Sequence, residues 1–229
     1  ELVQRRDRLQ PGMWTVQEET LYYLPPEGKQ IAHLDISCIT RGNGVQMDGK
    51  FSHVIVRNLN VQHVANDGYN IHGAVTEVEF YNCNARDCFD EGFSAHDRCG
   101  TLLDGAVYVN CDNGIANVNT EGYSITRNVI LADARHVGFL IISRGSARHE
   151  LRNAILIDSP TQLSAADLKA DNLLIIETPQ APGGYGSALN CGRNVQLSRV
   201  TAVGNPGLFR AGAKSNVSMT NSVLAAGQG

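Results

Sequence analysis

Asp67 and Glu91 stand 24 residues apart, and His72 and His96 keep the same 24-residue separation. Asp90 adjoins Glu91, so three carboxyl groups and two imidazoles recur in one local pattern. Paired carboxyls can cleave a glycosidic bond: one, kept protonated, donates to the leaving oxygen, and the other, ionised, activates water. Consecutive acids repel each other's charge, which raises one pKa and supplies the protonated partner. Asp67, Asp90, Glu91 and His96 are therefore the catalytic candidates. Asn70, His72, Ser94, Asp97 and Arg98 are candidates for holding substrate, Arg98 because a guanidinium can grip a sugar carboxylate in two places. Asp67 and Asp90 also suit exposed turns, where local hydrogen bonding favours them, but turn preference does not account for the histidines beside them. The two histidines with Asp97 have no spacing that specifies a metal site.

The elements that must position these residues are legible from a repeat. Asp67-Gly68-Tyr69-Asn70-Ile71-His72 aligns with Glu91-Gly92-Phe93-Ser94-Ala95-His96, then with Asn113-Gly114-Ile115 and Val137-Gly138-Phe139, so the glycines are spaced 24, 22 and 24. A second series runs through Asn58, Asn82, Asn110, Asn128, Asn153, Asn172 and Asn221, with Arg199 standing in the coil that lacks one. Its span of 163 residues over seven steps gives a mean near 23, within the range of architectures that bury a core only by stacking. Apolar residues alternate around the asparagines, as in Val78, Phe80, Cys83 and Ala85 around Asn82. Stacked asparagines in a bend bond one another and the exposed backbone, a structural role.

The fold expected is all-β, a single-stranded right-handed parallel β-helix of seven to eight coils over residues 51–229. Residues 1–50 form the lead-in, with an antiparallel hairpin from Trp14-Thr15-Val16 to Leu21-Tyr22-Tyr23-Leu24 that caps the first coil. A propeller needs blades nearer 40 residues, and a leucine-rich repeat needs leucines that are absent. Strand alternation points Tyr69, Ile71, Phe93 and Ala95 inward, and Asn70, His72, Ser94 and His96 outward. On later coils the outward positions become Ala116 and Val118, then Leu140 and Ile142. The polar face is thus confined to two coils. The other histidines, His33, His53, His63, His136 and His149, read as surface or turn residues.

A net charge of -4 excludes a broad nucleic-acid footprint. No apolar run reaches the roughly 18 residues of a membrane span. Six scattered cysteines without a CxxC pair suggest buried thiols rather than a disulfide scaffold or a zinc site. The last residues, Ala225 to Gly229, offer no capping element, so the far end is expected to self-associate or to meet a missing domain.

With these residues in place, the chain resembles the pectin-lyase-like superfamily of right-handed β-helices, over roughly residues 50 to 225. Asn66-Asp67-Gly68 and Asp90-Glu91-Gly92 are similar to the NTD and DD motifs of polygalacturonase-type glycoside hydrolases. The resemblance implies that Asp67 and Asp90 are the catalytic pair, that the partner is a polysaccharide or oligosaccharide, and that the protein is secreted, periplasmic or on a bacterial cell surface. Two motifs depart from that pattern. The GHG position holds Asn113-Gly114-Ile115, and RIK has no counterpart, which puts polygalacturonate in doubt. The leading expectation is a glycoside hydrolase that needs no cofactor, with a divalent cation such as calcium left open. The runner-up is a polyuronide lyase, set back because none of Lys29, Lys50, Lys169 and Lys214 lies on the polar face. A non-catalytic β-helix, a binding module or surface fragment, is the third reading.

Overall fold

The computed structural model describes residues 2–34, 36, 39–143, 145–178, 188–204 and 207–226. Contacts divide the chain into two units, residues 1–38 and 39–229. In the first, β1 (Trp14–Gln17) pairs antiparallel with β2 (Thr20–Tyr23). Glu18 and Glu19, with φ of 48° and 59°, make the two-residue turn whose twist matches the strands. This is the expected hairpin.

The second unit is a parallel β-solenoid of about seven turns. Its coils contribute, in chain order, β3 (Val45–Arg57) and β4 (Asn60–Gln62), then β5 (Tyr69–Tyr81) and β6 (Asn84–Arg86). Next come β7 (Glu91–Asp97) and β8 (Gly100–Val109), then β9 (Asn113–Asn119) and β10 (Tyr123–Ala132). They are followed by β11 (Val137–Ile142), β12 (Arg148–Ile157), β13 (Thr161–Ile176) and β14 (Leu189–Gly204). Every pairing in this unit is parallel, each strand bonding to its equivalent one coil away.

The alternation predicted for the polar face holds inside: Tyr69, Ile71, Phe93 and Ala95 are fully enclosed. Tyr69 stacks in register on Phe93, and Phe93 on Ile115, so the core is a set of columns along the axis. Phe80 meets Tyr69 and Phe93 edge-on, at centroid distances of 5.7 and 5.2 Å. Leu59 and Leu224 are exposed, on coils near either end of the described solenoid. The five described cysteines are buried free thiols, and Cys38 lies outside the described residues.

The glycine series has a steric cause. A Cβ on Gly68 would lie 2.6 Å from the Gly92 carbonyl oxygen and 2.8 Å from Ala85; one on Gly92 would meet the Gly114 oxygen at 2.7 Å and Tyr108 at 3.0 Å. Only glycine lets consecutive coils close at this corner.

The asparagine series is a column of left-handed residues, because a sharp bend between strands needs positive φ and Asn tolerates it. Asn58, Asn82, Asn128, Asn153, Asn172, Arg199 and Asn221 all have φ between 50° and 57°. Amides of adjacent rungs bond, Asn153 to Asn128 at 3.0 Å and Asn172 to Asn153 at 2.9 Å. One member differs from expectation. The rung between Asn82 and Asn128 is Gly105, at φ 72°, where a Cβ would sit 2.6 Å from Asn82 Oδ1. Asn110 belongs to a second left-handed column with His63, Asp87, Asp133 and Asp158.

Candidate functional site

The site lies where the turn before each glycine feeds the outward face of β5, β7 and β9. Two columns of polar residues run along the axis there. One stacks Asn43, Asp67, Glu91 and Asn113; the other stacks Asn66, Asp90, Asp112 and His136. Backbone bonds hold the second in step: Asp90 N–H to Asn66 O at 3.2 Å, Asp112 N–H to Asp90 O at 2.8 Å, and His136 N–H to Asp112 O at 2.8 Å.

One oxygen from each of Asp67, Asp90 and Glu91 lies within 4.8 Å of the others. Asp67 is the most enclosed, at 2% exposure. Its Oδ2 accepts from the Asn70 amide at 2.6 Å, and its Oδ1 accepts from the Glu91 backbone N–H at 3.2 Å. Glu91 accepts from the Asn113 amide at 3.0 Å. Burial, then the hydrogen bond and negative charge of Asp67, then Asp90, push the Glu91 carboxyl up to about 9. At neutral pH it keeps its proton. Three oxygens at this spacing can also take a hard cation such as calcium, which requires them deprotonated.

Beyond this cluster the outward face drops to small side chains. Asn70, Ser94 and Ala116 are buried although they alternate with core residues, so they form a floor between the carboxylates and the imidazoles. The Ser94 hydroxyl has no partner. His72 and His96 stack with centroids 4.5 Å apart and planes at 24°. His72 Nε2 is buried without a partner. Burial, and then the like charge of His72, lower the pKa of His96; Asp67, Asp97 and Asp90 oppose that. Each histidine stands five residues past its column's acid on the same outward face, near enough for Asp67 and Asp90 to act on His96 through their charge. Asp97 ends β7 at φ 70° and accepts from the Gly73 N–H at 3.2 Å. Arg98 follows it, exposed, at the opposite end of the strand from Glu91.

No protein-family model, curated protein or solved structure matches the chain. The parallel β-helix is consistent with the pectin-lyase-like superfold.

Two residues of the site escaped the sequence reading. Asp112 and His136 continue the Asp90 column, with His136 Nδ1 3.0 Å from Asp112 Oδ2. Their turns aligned poorly because the residue types change on each coil. A partner also exists for three histidines read as isolated: His53 pairs with Glu77 at 2.5 Å and His63 approaches Asp87 at 3.9 Å, while His149 is fully buried, its Nδ1 2.7 Å from Ser124 Oγ.

Proposed function

We propose that the protein is a glycoside hydrolase acting on a polysaccharide or oligosaccharide laid along the outward face between the carboxylates and the stacked histidines. The observation that carries this reading is the Asp67–Asp90–Glu91 cluster, in which a half-buried Glu91 holds a proton beside two further carboxyl groups. Glu91 is the general acid that protonates the departing glycosidic oxygen. Asp90, also partly open to solvent, is the carboxylate that activates water or attacks the sugar carbon. Asp67, enclosed, acts through Glu91: after burial it is the neighbour that most raises that carboxyl's pKa, and Asn70 keeps Asp67 in place. His72, His96, Asn70 and Ser94 line the path of the chain, and Asp97 and Arg98 lie at its far side. Such a role fits secretion or display on the cell surface.

Glu91→Gln and Asp90→Asn are each expected to abolish release of reducing ends from a cleaved glycan while leaving the circular-dichroism spectrum of the β-helix unchanged. Full activity in either variant would overturn the assignment. Ultraviolet-absorbing unsaturated products would mean β-elimination, the lyase chemistry, instead.

A further inference from the structure

One side of the solenoid is apolar outside as well as inside. The strand segments that follow the left-handed bend at Gly105, Asn128, Asn153 and their equivalents turn two residues outward on each coil. The first of these forms the column Val107, Ile130, Ile155, Leu174, Thr201 and Val223. The second forms the column Val109, Ala132, Ile157, Ile176, Val203 and Ala225. Val107, Ile130, Ile155, Val203 and Val223 are 36% to 58% exposed. The fold does not require apolar residues here, because the two preceding coils hold Asn60 and Gln62, then Asn84 and Arg86, at the same positions. Across the bend, the neighbouring outward column is polar, running Tyr81, Asp104, Arg127, Arg152, Asp171 and Ser198. A continuous apolar stripe of this length on a solvent face marks a surface that another molecule covers.

The borders of the stripe say what fits it. Along one border stand the neutral amides of Asn128, Asn153 and Asn172; along the other, Asp133, Asp158 and Glu177 follow Ala132, Ile157 and Ile176. A two-fold axis parallel to the solenoid axis lays two stripes face to face with their coils running the same way. The acid border of one copy then meets the amide border of the other. Each residue of the first column meets the second column of the partner on the same coil, so that Ile130 opposes Ala132, Ile155 opposes Ile157, and Asn84 opposes Arg86. A two-fold axis across the coils would instead bring the two acid borders together.

The area agrees with such a pair. Counting the coils of Asn60 and Asn84, eight strands are stacked on this side. At about 4.8 Å per coil and about 3.3 Å per residue over four residues, the face measures roughly 38 by 13 Å, and two copies would bury on the order of 1,000 Å² in total. That reaches the lower bound of a specific interface and falls short of an obligate one.

We infer that a second copy of this chain covers the stripe, in a reversible dimer whose two-fold axis runs parallel to the solenoid. Sedimentation velocity of the full chain over about 1 to 300 μM should show passage from monomer to dimer, half complete at roughly 10 to 100 μM. Ile155→Glu, at an exposed position, should weaken the dimer at least tenfold with an unchanged circular-dichroism spectrum, and so should Ile157→Lys. Mixed in equal amounts, these two variants should regain a dimer, because position 155 of one copy meets position 157 of the other. No dimer in that mixture, or rescue of Ile155→Glu by Ile130→Lys in its place, the mark of an antiparallel pair, would overturn the proposal. So would a monomer throughout the range, or a dimer indifferent to Ile155→Glu, whose contact lies elsewhere. A chain that stays monomeric and floats with neutral phosphatidylcholine vesicles would overturn it too, the stripe then seating in lipid.

Discussion

The side-chain amide of Asn70 donates to Asp67 Oδ2 at 2.6 Å, and the carboxylate so fixed accepts from the backbone N–H of Glu91 through its other oxygen. Asp67 is thereby fixed against a second acid, and the second carries the consequence: burial, and then Asp67, push the Glu91 carboxyl up to about 9. Removing the charge while keeping the shape should reverse this. In Asp67→Asn the Glu91 pKa is expected to fall by about 1 to 2 units, since a like-charged neighbour is gone and burial remains. Carbon-13 NMR titration of the Glu91 carboxyl reads the shift directly. In the enzyme reading, the alkaline limb of kcat/KM moves to lower pH by the same amount. An unmoved Glu91 would mean that burial alone sets its pKa.

The stacked histidines offer a test with the opposite sign. His96 loses its proton more readily than a free imidazole, first because it is buried and second because His72 can carry like charge 4.5 Å away. His72→Gln removes the second cause and leaves Asp67, Asp97 and Asp90 still favouring the protonated ring. The His96 pKa should therefore rise, as read in a proton NMR titration of the ring signals. A further fall would show that the rings are not stacked in solution.

The sequence reading reached the architecture because one steric demand recurs on every coil. Gly68, Gly92 and Gly114 are each pressed against the next coil's carbonyl, so the residue type repeats and the period is visible. Asn at the bend recurs for a similar reason, since positive φ suits few side chains. Where several residue types meet the same demand, the signal fades. His63, Asp87, Asn110, Asp133 and Asp158 share one left-handed column, and only its Asn was noticed, placed in the wrong ladder. Asn66, Asp90, Asp112 and His136 share a turn position whose only requirement is a backbone N–H and C=O in step, so no residue type marks it. Acids and histidines of the outward face were legible because Asp67 and Glu91 align without a gap. That Asp67 would be enclosed and Asp90 partly open depends on packing within the turn, which spacing does not encode.

Gly105 tests the bend itself. It holds φ 72° in a column otherwise of Asn and Arg, and a Cβ there would lie 2.6 Å from Asn82 Oδ1. Gly105→Ala combines a left-handed backbone penalty of roughly 1 kcal/mol with a contact that pushes Asn82 off its rung. A loss of about 1 to 3 kcal/mol in urea unfolding is expected. Restoring full stability by adding Asn82→Ala, which removes the contact but not the backbone penalty, would show that the left-handed conformation costs nothing here.

His149 makes the fold acid-sensitive from within. It stacks on Ser124 in an interior column that continues to Leu168 and Val195, and it is fully buried with Nε2 unpartnered. Burial lowers its pKa to about 4, against an ordinary value of 6.5. The unfolded chain therefore takes up a proton as pH falls through 6.5 while the folded chain does not, and stability drops until the folded histidine protonates near 4. The full loss is on the order of 3 kcal/mol, at about 1.4 kcal/mol per pH unit across that window, and none of it is felt above pH 7. His149→Leu places in the column the residue that the next coil already uses. It removes the proton uptake, though it leaves Ser124 without its partner. Urea unfolding followed from pH 7 to 4.5 should show a shallower fall in the variant than in the parent, whatever their difference at pH 7. Parallel curves would mean that His149 protonates as readily folded as unfolded, which a fully enclosed ring cannot do without opening the coil.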